Sequence, residues 1–182
     1  MLPTNPAERT VPRSTPEEAG PRIVFALFTE FMPSVQRDYE LLEKAKGGPL
    51  KVGLLDLQIE VLIFALHCLD RAVFAHYGAE YRAAFMDSAL SAIPQAFTAL
   101  VPEPTREGFW EHVRDRFNTR QREYARLILF PENEAPLKGT LFWEFAKSVC
   151  LDAGVTNPVM LKGMLEEGLD IFTMMDQIAL TL

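Results

Sequence analysis

Apolar residues recur at helical spacing along six stretches of the chain, and one stretch is apolar almost all the way round. With successive residues about 100° apart, Leu54, Leu57, Val61, Leu62, Ala65, Cys68, Leu69, Ala72, Val73 and Ala75 cover one broad arc. The pattern predicts a long, mostly buried helix over about 52–77, ended by Gly78.

The other five stretches are amphipathic. Residues 22–46 carry Val24, Leu27, Phe28, Phe31, Val35 and Leu42, and stop at Gly47-Gly48-Pro49. Pro33 lies inside this run and is expected to kink or split it, because it removes a backbone bond and crowds the preceding turn. A third helix is expected over 80–101, with Pro94 near its middle and Pro102 and Pro104 at its end. Thr105 reads as the cap of a fourth, 106–130, with an apolar stripe of Trp110, Val113, Phe117, Tyr124 and Ile128. A polar loop from Pro131 to Lys138 leads to a short fifth helix, 140–153, between a Thr140 cap and a Gly154 stop. The sixth begins at Asn157 with Pro158 at its first helical position and runs to near Leu182.

No segment alternates apolar and polar residues as a strand would. The fold class is therefore all-α: a single-domain antiparallel helical bundle of about six helices over 21–182, with the 52–77 helix at its centre. Pro3, Pro6, Pro12, Pro16 and Pro21 make residues 1–20 a proline-rich flexible arm.

Composition narrows the function classes. A length of 182 residues supports a full core without disulfides or metal. The formal charge of -7 argues against nucleic acid as a partner and suits a soluble, cytoplasmic protein. Cys68 and Cys150 sit among apolar neighbours, as reduced core thiols do. Met1 to Pro6 lacks the basic and apolar runs of a secretory signal, and no apolar stretch reaches the ~20 residues of a membrane span.

The polar residues of the 52–77 helix share one edge. With Asp56 at zero, His67 lies at about 20°, Glu60 at about 40°, Arg71 at about 60° and Asp70 at about -40°. A solvent-facing edge is the plainest account. A second is a site inside the bundle, in which Asp56, Glu60, His67 and Asp70 hold a metal or a polar ligand group. A third is a salt-bridge network with Arg or Lys from the first or fourth helix. Asp56 and Glu60 repel at i,i+4, which calls for a nearby cation. The Glu-x-x-His pairs of di-metal bundles are absent, and His67 and His76 are too far apart for a helical zinc pair.

The fourth helix carries Arg114, Arg116, Arg120, Arg122 and Arg126. Pairing with Glu166, Glu167, Asp170 and Asp176 near the C-terminus, or solvation, is the expected use. Met160, Met164, Met174 and Met175 in the sixth helix suit core filling or an adaptable apolar surface. Gly163 and Gly168 mark possible close helix approach.

No nucleophile elbow, phosphate loop, dinucleotide fingerprint or Cys-x-x-Cys occurs, so nothing signals a catalytic site or a bound cofactor. Three functions compete. The first is a non-enzymatic module that binds a protein partner or itself as a homo-oligomer. The second is a bundle with a pocket for a small apolar ligand, lined by Phe64, Trp110, Phe117, Trp143, Met164 and Phe172. The third is a metal protein built on the 56–71 stripe.

Overall fold

A computed structural model describes residues 10–98, 106–130 and 138–182, with the backbone alone for 106–110 and 112. The protein is an all-α helical bundle: α1 (Pro16–Ala26), a π-helical turn (Leu27–Phe31), α2 (Met32–Lys46), α3 (Leu54–Tyr77), α4 (Ala79–Phe97), α5 (Arg106–Tyr124), α6 (Leu141–Ala153) and α7 (Pro158–Leu180). α1, the π turn and α2 run on without a break, so six helical rods result among the described residues. None is long and apolar enough to cross a membrane. The expected arm residues 1–9, the Pro102 and Pro104 stop, the Thr105 cap and the loop residues 131–137 lie outside the described residues.

α3 is buried without interruption from Ile59 to Asp70. It packs against α2, α4, α5, α6 and α7. The ends of α6 and α7 follow their sequence signals. Thr140 Oγ1 accepts the Trp143 N–H, Asn157 Oδ1 accepts the Val159 N–H, and Gly154 closes α6 in the left-handed region at φ 72°.

Two boundaries differ from the sequence reading. The first helix begins at Pro16, not near 22. Thr15 Oγ1 accepts the Glu18 N–H and the Glu18 carboxylate accepts the Thr15 N–H, a reciprocal cap followed by proline at the first position. Residues 16–20 are thus the opening turns of α1, with Ala19 and Gly20 buried. Ahead of them, the Thr10 N–H donates to the His76 carbonyl at 3.0 Å and the Ser14 N–H to the Leu182 carbonyl at 2.8 Å. α5 stops at Tyr124, six residues before its expected end, and there Arg71 takes the carbonyls of Tyr124 and of Leu127 in the turn beyond, as described below.

Pro33 acts as its chemistry requires. It has no N–H, and its ring would strike the carbonyl four residues back in a regular helix. The chain widens into the π turn just before it, and the Met32 N–H donates to the Leu27 carbonyl.

α1 and α4 approach each other closely. A Cβ on Gly20 would stand 2.6 Å from Ala89 N and 2.9 Å from Ser88 Cβ and Oγ. A Cβ on Gly168 would meet Phe145 at 3.1 Å, so this glycine does mark a close approach, of α7 to α6. Gly163 does not: a Cβ there meets nothing within 4 Å. Gly20→Ala is therefore expected to lose about 1–3 kcal/mol of stability, whereas Gly163→Ala gains about 0.5–1 kcal/mol from helix propensity. Urea unfolding of the two variants beside the parent checks both signs.

Candidate functional site

The polar edge of α3 is not a solvent-facing stripe. Asp56 is partly exposed, but Glu60, His67 and Asp70 are buried, Glu60 to 1% exposure. What covers them is chiefly α5. Arg116, Arg120 and Tyr124 stand four residues apart on one face of that helix and converge on a single carboxylate. Arg116 Nε lies 3.0 Å from Glu60 Oε2; Arg120 Nε lies 2.7 Å from Oε1; the Tyr124 hydroxyl donates to Oε1 at 3.1 Å. Asp152 of α6 joins at 3.3 Å from Arg116 and 3.6 Å from Arg120, and Arg120 also donates to Ser148. Asp56 reaches Arg116 at 3.7 Å, which relieves its repulsion with Glu60. The space between Asp56, Glu60, Arg116, Val149 and Asp152 has no volume left for a water molecule. The third sequence reading, a salt-bridge network with the first or fourth helix, therefore describes the Asp56–Glu60 end of this stripe, through the fourth helix.

Charge chemistry follows from the packing. Burial works against the Arg120 cation, but Glu60, Glu123 and Tyr124 outweigh it and hold its pKa above the usual value. Burial first, and Glu60 second, push the Tyr124 phenol well up, so it stays a donor. Burial raises the Cys68 thiol strongly and the Cys150 thiol to about 11, which keeps both protonated and unreactive.

About two turns further along α3, a second polar chain binds the end of α5. Arg71 Nε donates to His67 Nε2 at 3.0 Å. A guanidinium only donates, so Nε2 carries the lone pair and Nδ1 the proton, which is given to Gln121 Oε1 at 2.6 Å. The Arg71 Nη2 group caps α5 by donating to the carbonyls of Tyr124 and Leu127, both at 2.8 Å. Gln121 Nε2 is buried with no acceptor among the described residues. Asp70 turns away to Arg82 of α4, with contacts of 2.5 and 2.8 Å.

The four metal candidates are thus engaged by different partners: Asp56 and Glu60 by arginines of α5, His67 by Gln121 and Arg71, Asp70 by Arg82. Among the described residues no three His, Cys, Asp or Glu side chains stand close enough to hold a metal ion. Of the α5 arginines, Arg116 and Arg120 pair with Glu60, Glu123, Asp56 and Asp152, not with the C-terminal acids. Of those, Glu166 meets Lys162 at 3.5 Å and Asp176 meets His76 at 2.8 Å.

The pocket candidates divide in the same way. Phe64 stacks on Phe145 with centroids 3.9 Å apart and meets Tyr124 and Phe142 edge-on. Phe172 packs edge-on to Phe130 and Phe142, and Met164 is buried. Trp143 is half-buried, and the Trp110 side chain lies outside the described residues. Phe117 borders open space. It faces a cleft of about 490 Å³ between α3, α4 and α5. Leu62, Ile63, Leu66, Ile93 and Val113 form a buried apolar floor, Leu90 and Phe117 half-buried sides, and Asp87, Ser91, Arg114 and Asn118 a polar rim. Sequence periodicity marks the floor residues as core and gives no sign that a cleft opens beside them.

No family model, curated protein or solved structure matches the chain. The functional reading therefore rests on this geometry.

Two outcomes test the clamp. Glu60→Ala leaves Arg116 and Arg120 without their buried counter-charge and is expected to cost about 3 kcal/mol, at the low end for a broken buried pair because both arginines keep some water contact. Glu60→Gln, which keeps an acceptor, costs less; chemical denaturation ranks the two. Protonation is the second lever. Burial, reinforced by Arg71 and Arg82 and opposed by the Gln121 bond and Asp70, lowers the His67 pKa from its ordinary 6.5. Below that value the unfolded chain binds a proton that folded His67 refuses. Its contribution is fully present above about pH 6.5 and is lost as pH falls toward the folded pKa, at up to about 1.4 kcal/mol per unit. Urea midpoints between pH 7.5 and 5.5 should fall for the parent and fall less for His67→Gln.

Proposed function

We propose that the protein is a binding module whose site is the cleft between α3, α4 and α5, and that its ligand is a small molecule with an apolar body. One observation carries this reading. Buried aliphatic side chains of three helices floor an open space of about 490 Å³, within the range of small-molecule sites, beneath a rim of only four polar residues. The half-buried Leu90 and Phe117 leave apolar surface open to water, and a ligand that covers it is stabilised by doing so. The absence of a nucleophile–base pair among the rim residues favours binding over turnover.

Self-association is the second reading. Phe74, Ile128 and Phe130, each about half exposed, line a broad groove of about 890 Å³ at the end of α5, and exposed apolar groups of this size favour a protein contact.

The neutral dye Nile red separates the two. Dye bound in the cleft should fluoresce with one site per chain, and Ser91→Trp, which plugs the exposed rim without touching the core, should abolish the signal while leaving the melting transition intact. If instead Ser91→Trp binds dye as the parent does, and light scattering shows a dimer that Phe130→Ser dissolves, the function belongs to the groove.

A further inference from the structure

The two long walls of the cleft differ in hydrogen-bonding character, and the difference points to a ligand class. The α4 wall presents acceptors. Asp87 carries a carboxylate that makes no ion pair within the described residues. Ser91 spends its hydroxyl proton on the Asp87 carbonyl at 2.7 Å, so its oxygen has only lone pairs left to offer. Pro94 has no N–H, so the Leu90 carbonyl lacks the donor a regular helix would supply. These four residues all line the cleft.

Asp87 and Ser91 also form a ridge shared with a second, shallower groove of about 620 Å³ between α1 and α4. That groove adds Glu17, a second carboxylate without an ion pair among the described residues, and holds no lysine or arginine among its lining residues. The ridge therefore carries one carboxylate and has a second beside it, next to an apolar floor. On the facing wall, Arg114 is the only charged group, and it too makes no ion pair among the described residues. The chain as a whole carries -7, so its field draws cations to such a place.

We infer that the cleft takes a protonated hydrophobic amine, with its apolar body against the half-buried Leu90 and Phe117, above the buried floor, and its ammonium on the Asp87–Ser91 ridge. This rests on the cleft being the binding site. An ammonium brings three N–H donors and one positive charge, which the ridge matches with a carboxylate, a hydroxyl oxygen and a freed carbonyl. A carboxylate in the same place would face Asp87 with no donor from α4. An alcohol would gain a hydrogen bond but no charge.

Displacement of Nile red at pH 7 by octylamine, octan-1-ol and octanoate tests the assignment, because the three share one apolar chain. Octylamine is expected to displace the dye at a concentration about three- to tenfold lower than octan-1-ol, the range of a partly screened ion pair with added hydrogen bonds. Octanoate should be the weakest. Asp87→Asn should bring octylamine to the level of octan-1-ol while leaving octan-1-ol unchanged, and Glu17→Gln should have a smaller effect of the same sign. If octanoate or octan-1-ol matches octylamine, the amine assignment falls and the cleft reading stands. If none of the three displaces the dye, the cleft reading falls, and the amine with it.

Discussion

A single carboxylate, that of Glu60, decides how α5 sits. The helix is poor in apolar residues; among its described side chains only Val113 and Tyr124 are buried. Hydrophobic burial alone would hold such a helix weakly. Its attachment comes instead from Arg116, Arg120 and Tyr124, which meet on Glu60 from three successive turns. The charge is taken out of water, but two guanidinium groups and a phenol replace its hydration, and Asp152 balances the second cation. The registry is correspondingly strict.

The cleft is a consequence of that attachment. The polar contacts lie along one side of α5 and draw it onto α3 and α6. Its other side, with Val113 and Phe117, is left facing α4 across the cleft. On the α4 side, Pro94 interrupts the backbone bonding of the wall. A helix positioned by charges rather than by interlocking side chains leaves room beside it, because ion pairs fix direction without filling volume.

Much of the fold was legible in the sequence. Helical periodicity determined the class, and Thr140, Asn157 and Pro158 announced their caps, since capping is a local backbone need met by the next few residues. The Thr15-Pro16-Glu17-Glu18 cap was equally local and was overlooked among the surrounding prolines. The end of α5 at Tyr124 was not legible: its last carbonyl is bound by Arg71, more than fifty residues earlier, and no local pattern carries that contact. The candidate site divides along the same line. Periodicity grouped Asp56, Glu60, His67, Asp70 and Arg71 on one edge, but an amphipathic pattern gives directions and not neighbours. It therefore left open that arginines rather than water or metal would cover them. Of the aromatic pocket candidates, Phe64 and Phe172 are large apolar groups that pack against other rings of the core.

The π turn before Pro33 has an effect on geometry well beyond its five residues. Taken as one regular helix with Ala19 at zero, the buried residues Ala19, Ile23, Val24 and Leu27 centre near about 65°, while Met32, Val35 and Leu42 centre near about 170°. The two apolar seams would then point about a quarter-turn apart, and one half of the rod would face water. A π turn absorbs one surplus residue, which winds the downstream half back by about 100° and brings the seams into line. The extra residue works as a phase correction, letting one continuous rod of two different sequence registers lie along a single side of the bundle.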